Sequence, residues 1–189
     1  MRDGSLIRAN TVRDLTEVPP QAPARLPLPV ARPAAPAAAQ QLAALLKGHD
    51  AIISSAPFLP GSSSRLLDAI HQSGVIRYIA VGGAGSLEIA PGKLLKDSGQ
   101  IPAEWLPAIN EGAALLKLLR ADTQLDWTFF SPAAVIGPGA RTGQFRLGRD
   151  QLITGKEGKS AISYDDYAIA LVDELEKPQH IRTRFTIGY

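Results

Sequence analysis

Three short apolar runs of this 189-residue chain each end in small or hydroxyl-bearing residues. These residues are Ser54, Ser55 and Ala56, then Gly82 and Gly83, then Ser131, Pro132 and Ala133. If the runs are parallel strands, their carboxyl ends meet at the edge where open α/β sheets bind ligands. Small side chains leave room for a flat ligand close to the backbone, and hydroxyls and amides supply hydrogen bonds. One such set is more often only a turn, but three in succession favour a ligand groove.

Groups suited to metal or acid–base chemistry are sparse elsewhere in the sequence. His49, His71 and His180 have no second imidazole or carboxylate at ligand spacing, so we expect surface or boundary roles and no metal site. Asp165 and Asp166 form a carboxylate pair, but at a predicted helix start they more simply complement the helix dipole. The chain has no cysteine, which excludes disulfides and thiolate chemistry.

The elements that must position the strand-end residues alternate between strand and helix. Apolar spacing predicts helices over 37–46, 62–73 and 102–119, and strands over 50–56, 75–81, 127–131 and 183–187. Such alternation gives right-handed crossovers and a parallel sheet with helices on both faces, so the predicted fold class is α/β. Residues 143–153 resemble a small hairpin, and Ser163 with Asp166 resembles a capping box before a helix over 167–175.

Four segments of the chain resemble a known family. GHDAIISSA, VIRYIAVGGAGSLEIAPG, LDWTFFSPAAVIGPGARTGQFRLG and the stretch from ISYDDYAIALVDELE to the end are similar to atypical short-chain dehydrogenase/reductase-like proteins. The likeness is to the NADH-flavin reductase, NmrA-like and biliverdin reductase B-like branches, and it covers residues 38–189. It implies a Rossmann-like fold that binds NADP or NAD. It also implies that Ser54, Ser55 and Ala56 lie near the adenosine, and Gly82, Gly83 and Ser131 to Ala133 near the nicotinamide.

The first βαβ unit of that family is lacking or atypical here. Gly4 is the only glycine among the first 47 residues, so that segment offers no glycine-rich turn to hold a pyrophosphate. Two or three charge-assisted hydrogen bonds at ~1.5 to 3 kcal/mol each would be lost. Because about 1.4 kcal/mol is a tenfold change in affinity, a micromolar site would become millimolar or weaker.

A second departure concerns proton transfer. Members of the resembled family that use Tyr-x-x-x-Lys lower the tyrosine pKa with the lysine ammonium. The corresponding segment here, Glu104 to Ile109, has neither residue. Tyr164 and Tyr167 lie later, without a lysine four residues on, and we interpret Tyr167 as a packing residue. Hydride transfer would then depend on placing cofactor and acceptor together, which suits a flavin or a quinone.

Residues 1–37 differ in composition from residues 38–189, which we assign to the NAD(P)-binding domain. Seven prolines between 19 and 36 predict an extended arm, and a shifted reading frame or misassigned start is our hypothesis for its origin. Residues 1–46 carry five arginines against three acidic residues, which accounts for the whole net charge of +2. No aromatic residue precedes Phe58, so a nucleic-acid-binding surface is not expected.

Neither a membrane span nor a signal peptide is evident, and we expect a cytoplasmic protein. The favoured function is NAD(P)H-dependent reduction of a small-molecule acceptor such as a flavin or quinone. A non-catalytic dinucleotide-sensing or protein-interaction module, or a truncated member unable to bind cofactor, remains open. Without the first βαβ unit the strand at 51–56 would lack a neighbour, which predicts low stability, self-association as a homo-oligomer, or a rebuilt edge.

Overall fold

The computed structural model describes residues 35–189, which form four α-helices and nine strands. The helices are α1 (Ala35–Leu46), α2 (Ser62–Ser73), α3 (Leu106–Ala121) and α4 (Tyr164–Glu176). The strands are β1 (Ala51–Ser54), β2 (Arg77–Val81), β3 (Glu88–Ala90), β4 (Lys93–Leu94), β5 (Asp126–Ser131), β6 (Val135–Gly137), β7 (Arg146–Gly148), β8 (Ala161–Ser163) and β9 (Thr183–Gly188). Within these residues no helix has both the length and the apolarity that a membrane crossing needs. The arm predicted over 1–37 lies almost wholly outside the described residues.

The main sheet contains five strands in the order β1-β2-β5-β9-β7. Strands β1, β2, β5 and β9 pair in parallel, and β7 joins the far edge antiparallel to β9. Helix α2 connects β1 to β2, and α3 connects β2 to β5. The predicted Rossmann-like α/β fold is therefore confirmed.

Each face of the sheet is covered by its own apolar cluster. On one face, side chains of β1, β2 and β5 pack against α2 and α3, with Tyr78, Trp127 and Phe129 among the buried residues. On the other face, Phe130 and Phe185 pack against α4. Strands buried on both faces must be apolar almost throughout, which explains why continuous runs rather than alternating patterns mark them in the sequence.

Four aromatic rings stack in a continuous column on the α4 face. Tyr167 stacks on Phe130 with centroids 4.1 Å apart, Phe130 on Phe185 at 4.0 Å, and Phe185 on His180 at 4.1 Å. Interplanar angles of 5 to 9° make the rings nearly parallel. The column joins α4, β5, β9 and the turn before β9 through side chains distant in sequence.

The predicted hairpin over 143–153 is wrong. Its first half forms β7 and pairs with β9, whereas Gln151 bridges to Glu88. Asp150 keeps the two halves of the segment apart. Its carboxylate accepts hydrogen bonds from Arg184 and Arg120, and its backbone carbonyl accepts a hydrogen bond from the Glu88 amide. The two halves therefore find partners in other strands instead of in each other.

The start of α4 confirms only one half of the predicted capping box. The Ser163 hydroxyl accepts a hydrogen bond from the Asp166 amide at 3.1 Å, as an N-cap does. The Asp166 carboxylate does not accept a hydrogen bond from the Ser163 amide, as the second half of a capping box would. It is fully buried and accepts hydrogen bonds from Thr142, Gly143 and Tyr189. Both acidic residues lie in the first turn of α4, where they complement the helix dipole as expected. Asp165 is exposed, whereas Asp166 also joins α4 to distant segments.

Among residues 35–189, β1 pairs with β2 and with no second strand. Residues 1–34 lie outside the described residues, so the expected loss of a neighbouring strand stays a prediction. The side chain of Ile53 is 42% exposed at this edge. A strand edge of this kind exposes unpaired backbone groups to solvent or to another chain. Low stability, self-association and a rebuilt edge all stay predictions.

We expect Asp166→Asn to lower stability at neutral pH and to reduce its dependence on acid. Burial opposes ionisation of Asp166, but hydrogen bonds from Thr142, Gly143 and Tyr189 lower its pKa to about 2. The ionised carboxylate therefore stabilises the fold above its unfolded pKa of about 4, and this contribution disappears as the pH falls towards 2. Urea unfolding at pH 7 and at steps between pH 4 and pH 2 measures both effects.

Asp165→Asn is the matched control, because its side chain neighbours Asp166 but is exposed. If both variants unfold at the same urea concentration at pH 7, the stabilising role assigned to the Asp166 carboxylate is wrong.

Candidate functional site

The three strand-end segments predicted from the sequence lie at one edge of the sheet. Ser54 pairs with Ala80 in the β1–β2 register, and Ser131 ends β5 beside β2. The Gly82 amide donates to the Phe130 carbonyl at 2.8 Å, which continues the β2–β5 pairing beyond β2. We name residues 82–86, which follow β2, the glycine segment. The structure thus brings the segments together, but it exposes them to very different degrees.

The segment after β1 borders a cavity of about 320 Å³. Ser54 and Ala56 line this cavity, and Ser55 is exposed beside them. Other lining residues come from α1, α2, α3 and the loop before α2 and are mainly apolar: Ala38, Ala39, Leu42, Leu59, Leu66 and Leu115. An apolar cavity with a few hydroxyls at its base suits a planar organic ligand. We name it the β1 cavity.

The two predicted glycines after β2 have different surroundings. A Cβ on Gly82 would lie 2.2 Å from the Phe129 ring, so this position is closed by packing. A Cβ on Gly83 would meet no atom within 4 Å, and Gly83 lines a second cavity of about 100 Å³ with Phe58 and Ile109. Of the two glycines, Gly83 is the one with free space for a ligand.

The segment after β5 is buried. Ser131, Pro132 and Ala133 are all enclosed by protein, because the following residues turn back to bond Ser160 of the β8 segment. Fully buried Ser131 Oγ has no hydrogen-bond partner among the described residues. The three residues are therefore enclosed and line neither the β1 cavity nor the cavity beside Gly83.

Glu111 holds the loop that separates the two cavities. Its carboxylate oxygens accept from the backbone amides of Gly61 and Ser63 at 2.9 Å, which caps the start of α2 from α3. Hydrogen bonds from Ser63 and then Gly61 lower the pKa of Glu111. The same loop carries Phe58, whose ring lies against Gly112 and lines both cavities. The sequence does not reveal this cap, because Glu111 lies 48 residues beyond Ser63.

Arg184 holds the glycine segment from the β9 side. Its buried guanidinium donates to the carbonyl and hydroxyl of Ser86 at 3.0 and 2.9 Å, and to Asp150 at 2.9 Å. Burial lowers the pKa of Arg184, although Asp150 acts in the opposite direction. The hydrogen bonds between Arg184 and Ser86 hold the chain after Gly83 in place. Because they join residues 98 positions apart, the sequence did not predict them.

Neither tyrosine of α4 is placed for proton transfer at the edge. Tyr167 is buried, its hydroxyl donates to the Phe130 carbonyl at 2.7 Å, and burial raises its pKa further. Its ring stacks on Phe130 within the buried cluster of this face, which confirms the prediction that Tyr167 is a packing residue. Tyr164 is 54% exposed on the same helix. A buried tyrosine that the sequence did not single out, Tyr78, instead reaches the site, where its hydroxyl lies 2.7 Å from Ser54 Oγ.

Two of the three histidines have carboxylate partners in the fold, although the sequence places no carboxylate at ligand spacing from them. His71 Nε2 lies 2.6 Å from Asp122, and His180 Nδ1 lies 2.8 Å from Glu174. Folding brings these pairs together from segments that the ligand-spacing criterion did not connect. In the region from 35 to 189, no group of three or more His, Cys, Asp or Glu side chains is arranged to hold a metal ion.

Comparisons with known proteins agree with this architecture. A family profile described as NAD(P)H-binding matches residues 11–178. YwnB of Bacillus subtilis (strain 168), an uncharacterized protein, is 38% identical over 152 residues, which cover 75% of this chain and 71% of YwnB. The match to the family profile begins inside the segment assigned to the arm, and the boundary at residue 37 stays a prediction.

Two solved structures share both sequence and fold with the chain. One, from Bacteroides thetaiotaomicron and provisionally assigned as an epimerase, is 43% identical with a TM-score of 0.75, over 80% of this chain and 72% of that one. The other, from Streptococcus pneumoniae TIGR4 and provisionally assigned as an NADH-flavin reductase, is 38% identical with a TM-score of 0.68, over 77% and 74%.

We expect Gly82→Ala to destabilise the fold and Gly83→Ala to leave it unchanged. The methyl group at position 82 would overlap the Phe129 ring, whereas the methyl group at 83 meets open space. Overpacking a buried contact of this kind costs about 1 to 3 kcal/mol. Urea unfolding of the two variants gives the comparison, and equal midpoints would contradict the close packing of Gly82.

We expect Glu111→Gln to destabilise the chain by about 0.5 to 2 kcal/mol, the usual range for loss of a helix cap. An amide retains one acceptor oxygen but cannot serve both Gly61 and Ser63. Chemical unfolding at pH 7 measures the loss, with Glu104→Gln on an exposed position before α3 as the control. Unchanged stability of Glu111→Gln would show that the cap is not needed.

Proposed function

Because this chain belongs to the NAD(P)H-binding family of atypical short-chain dehydrogenase/reductase-like proteins, we propose that it reduces a small planar acceptor with a nicotinamide dinucleotide. The acceptor class that fits best is a flavin or a quinone. The observation that carries the proposal is the shared edge of β1 and β2, where Ser54, Ala56 and Gly83 border cavities inside a dinucleotide-binding fold.

The residues at this edge fit the uncharged parts of a dinucleotide. Ser54 and Ser55 offer hydroxyls, Ala56 offers a small surface, and Gly83 leaves the volume of a side chain free. We propose that these four residues contact the cofactor, and that the buried segment at 131–133 supports the edge from below. When bound, the reduced nicotinamide supplies a hydride, and the protein supplies position and exclusion of water.

The phosphates have a poorer fit. A helix N-terminus is a favourable place for an anion, but the N-terminus of α2 is already occupied by the Glu111 carboxylate. The start of α2 is therefore not free to hold a pyrophosphate beside the β1 cavity. We expect NADPH and NADH to bind with dissociation constants nearer to millimolar than to micromolar, in line with the loss of two or three charge-assisted bonds.

The scarcity of proton-donating side chains at the edge of β1 and β2 limits which acceptor the protein can reduce. Helix α3 contains neither tyrosine nor lysine at the positions of the Tyr-x-x-x-Lys pattern, and Tyr167 is sequestered by Phe130. An acceptor that needs a strong protein acid would therefore react slowly. Flavins and quinones accept a hydride and take up protons from solvent, so they need little more than alignment with the cofactor.

The lack of a proton-transferring pair also supports a second candidate function. A module that binds a dinucleotide and reports its presence to a partner needs the cavities but not the chemistry. Saturable binding of NADPH or NADH without reduction of any flavin or quinone would favour this module over the reductase.

The proposed function is tested by following cofactor fluorescence while NADPH or NADH is titrated into the full chain, and then by adding flavins and quinones. Saturable binding and oxidation of the cofactor that depends on the acceptor are expected. No binding of either dinucleotide at millimolar concentration would overturn both candidate functions and favour a member unable to bind cofactor.

Ala56→Trp and Ala168→Trp form a matched pair for this titration. Both alanines are exposed, but Ala56 borders the β1 cavity, whereas Ala168 lies on α4 across the sheet. We expect the indole at position 56 to fill the cavity and to weaken dinucleotide binding at least tenfold, a loss of about 1.4 kcal/mol. Equal affinities of the two variants would move the binding site away from the β1 cavity.

A further inference from the structure

Tyr78 places a hydroxyl group at the base of the β1 cavity from within the apolar core. Its side chain is fully buried in the cluster formed with Ile52, Leu67 and Leu115. The hydroxyl oxygen lies 2.7 Å from Ser54 Oγ, and Ser54 is the partner that the described residues offer to it. A tyrosine at the centre of a sheet strand thus contacts a residue that lines the candidate site.

The direction of this hydrogen bond follows from burial. If Ser54 donated to Tyr78, the phenol hydrogen would remain in the apolar core without an acceptor, which buried polar groups avoid. Tyr78 therefore donates, and Ser54 accepts. Burial raises the pKa of Tyr78 to about 12, so the phenol keeps its hydrogen throughout the neutral range.

The Ser54 hydroxyl then has its own hydrogen free. A serine hydroxyl has one hydrogen to donate. With one lone pair engaged by Tyr78, that hydrogen turns away from the core and towards the β1 cavity, which Ser54 lines together with Ala56 and Ser62. A hydroxyl that accepts one hydrogen bond is also a better donor of the next, because the two bonds polarise each other.

We propose that Tyr78 is a positioning residue that fixes Ser54 as a hydrogen-bond donor towards the β1 cavity, so that the ligand atom meeting Ser54 is an acceptor oxygen or nitrogen. The inference rests on the proposed function, in which the ligand is a nicotinamide dinucleotide. It adds a specificity rule, because a ligand with a donor at this point would leave two hydrogens facing each other. Tyr78 itself touches neither ligand nor cofactor.

The test is a double-mutant cycle on dinucleotide binding with the full chain. NADPH dissociation constants are measured for the wild type, Tyr78→Phe, Ser54→Ala and the double variant. We expect Tyr78→Phe to weaken binding about 3-fold to 10-fold and Ser54→Ala about 10-fold, the range for one hydrogen bond. Because Tyr78 acts only through Ser54, the double variant should bind no more weakly than Ser54→Ala alone.

Other outcomes of the cycle overturn the proposal. Additive losses would show that Tyr78 affects the ligand by packing, and wild-type affinity of Tyr78→Phe would show that Ser54 needs no orientation. Thermal unfolding of each variant accompanies the titration, since a purely structural role would lower the melting temperature without the non-additive pattern in affinity.

A second pair of variants keeps the inference testable if Tyr78→Phe does not fold. Ser54→Thr retains the hydroxyl, whereas Ser54→Val has nearly the same shape without it. We expect Ser54→Thr to bind NADPH within about 3-fold of the wild type and Ser54→Val about 10-fold more weakly. Equal affinities of the two variants overturn the proposal. If the wild type itself binds no dinucleotide, the proposed function fails first, and the two failures are thereby distinguished.

Discussion

Parallel pairing of β1, β2 and β5 determines where this chain can act. The pairing registers Ser54 with Ala80 and Val81 with Phe130, so three exits of the backbone leave the sheet on the same side. Nothing in the local sequence of any exit requires this meeting. It follows from the crossovers through α2 and α3, whose apolar faces can be buried only by packing back onto the same face of the sheet. The cavities exist because the side chains at two of these exits are small.

Charged groups in this fold mainly hold segments in place. Glu111 caps α2, Arg184 ties the glycine segment to β9, and Glu174 accepts bonds from Arg77, Thr128 and His180 in the interior. A buried charge is costly unless such bonds compensate it, so each group is committed to its partners. The edge of the sheet therefore carries hydroxyls and backbone amides, with few ionised groups available for acid–base chemistry. This distribution explains why positioning dominates the proposed reaction.

Sequence reasoning identified what depends on local pattern. The apolar runs located β1, β2, β5 and β9 to within two residues at either end, and Ser163 was correctly identified as the cap of α4. It failed where a contact joins distant segments. Residues 143–153 were predicted to pair with themselves, since their preference for β9 and Glu88 depends on Asp150 meeting Arg184. Tyr78 and Glu111 were missed for the same reason, because their partners lie 24 and about 50 residues away. Burial of the segment at 131–133 likewise depends on Ser160.

The column of stacked rings gives the chain two regions of unequal cohesion. Removal of α4 would expose the face of Phe130 and break the bond from the Tyr167 hydroxyl, so we expect α4, β5 and β9 to open together as one cooperative unit. At the opposite edge, β1 has a single strand neighbour among the described residues and no comparable column. We therefore expect local opening at β1 to require less free energy than opening of the α4 unit. A ligand bound beside β1 would therefore suppress local opening of that strand. The free energy needed to suppress this opening would reduce the affinity of the ligand.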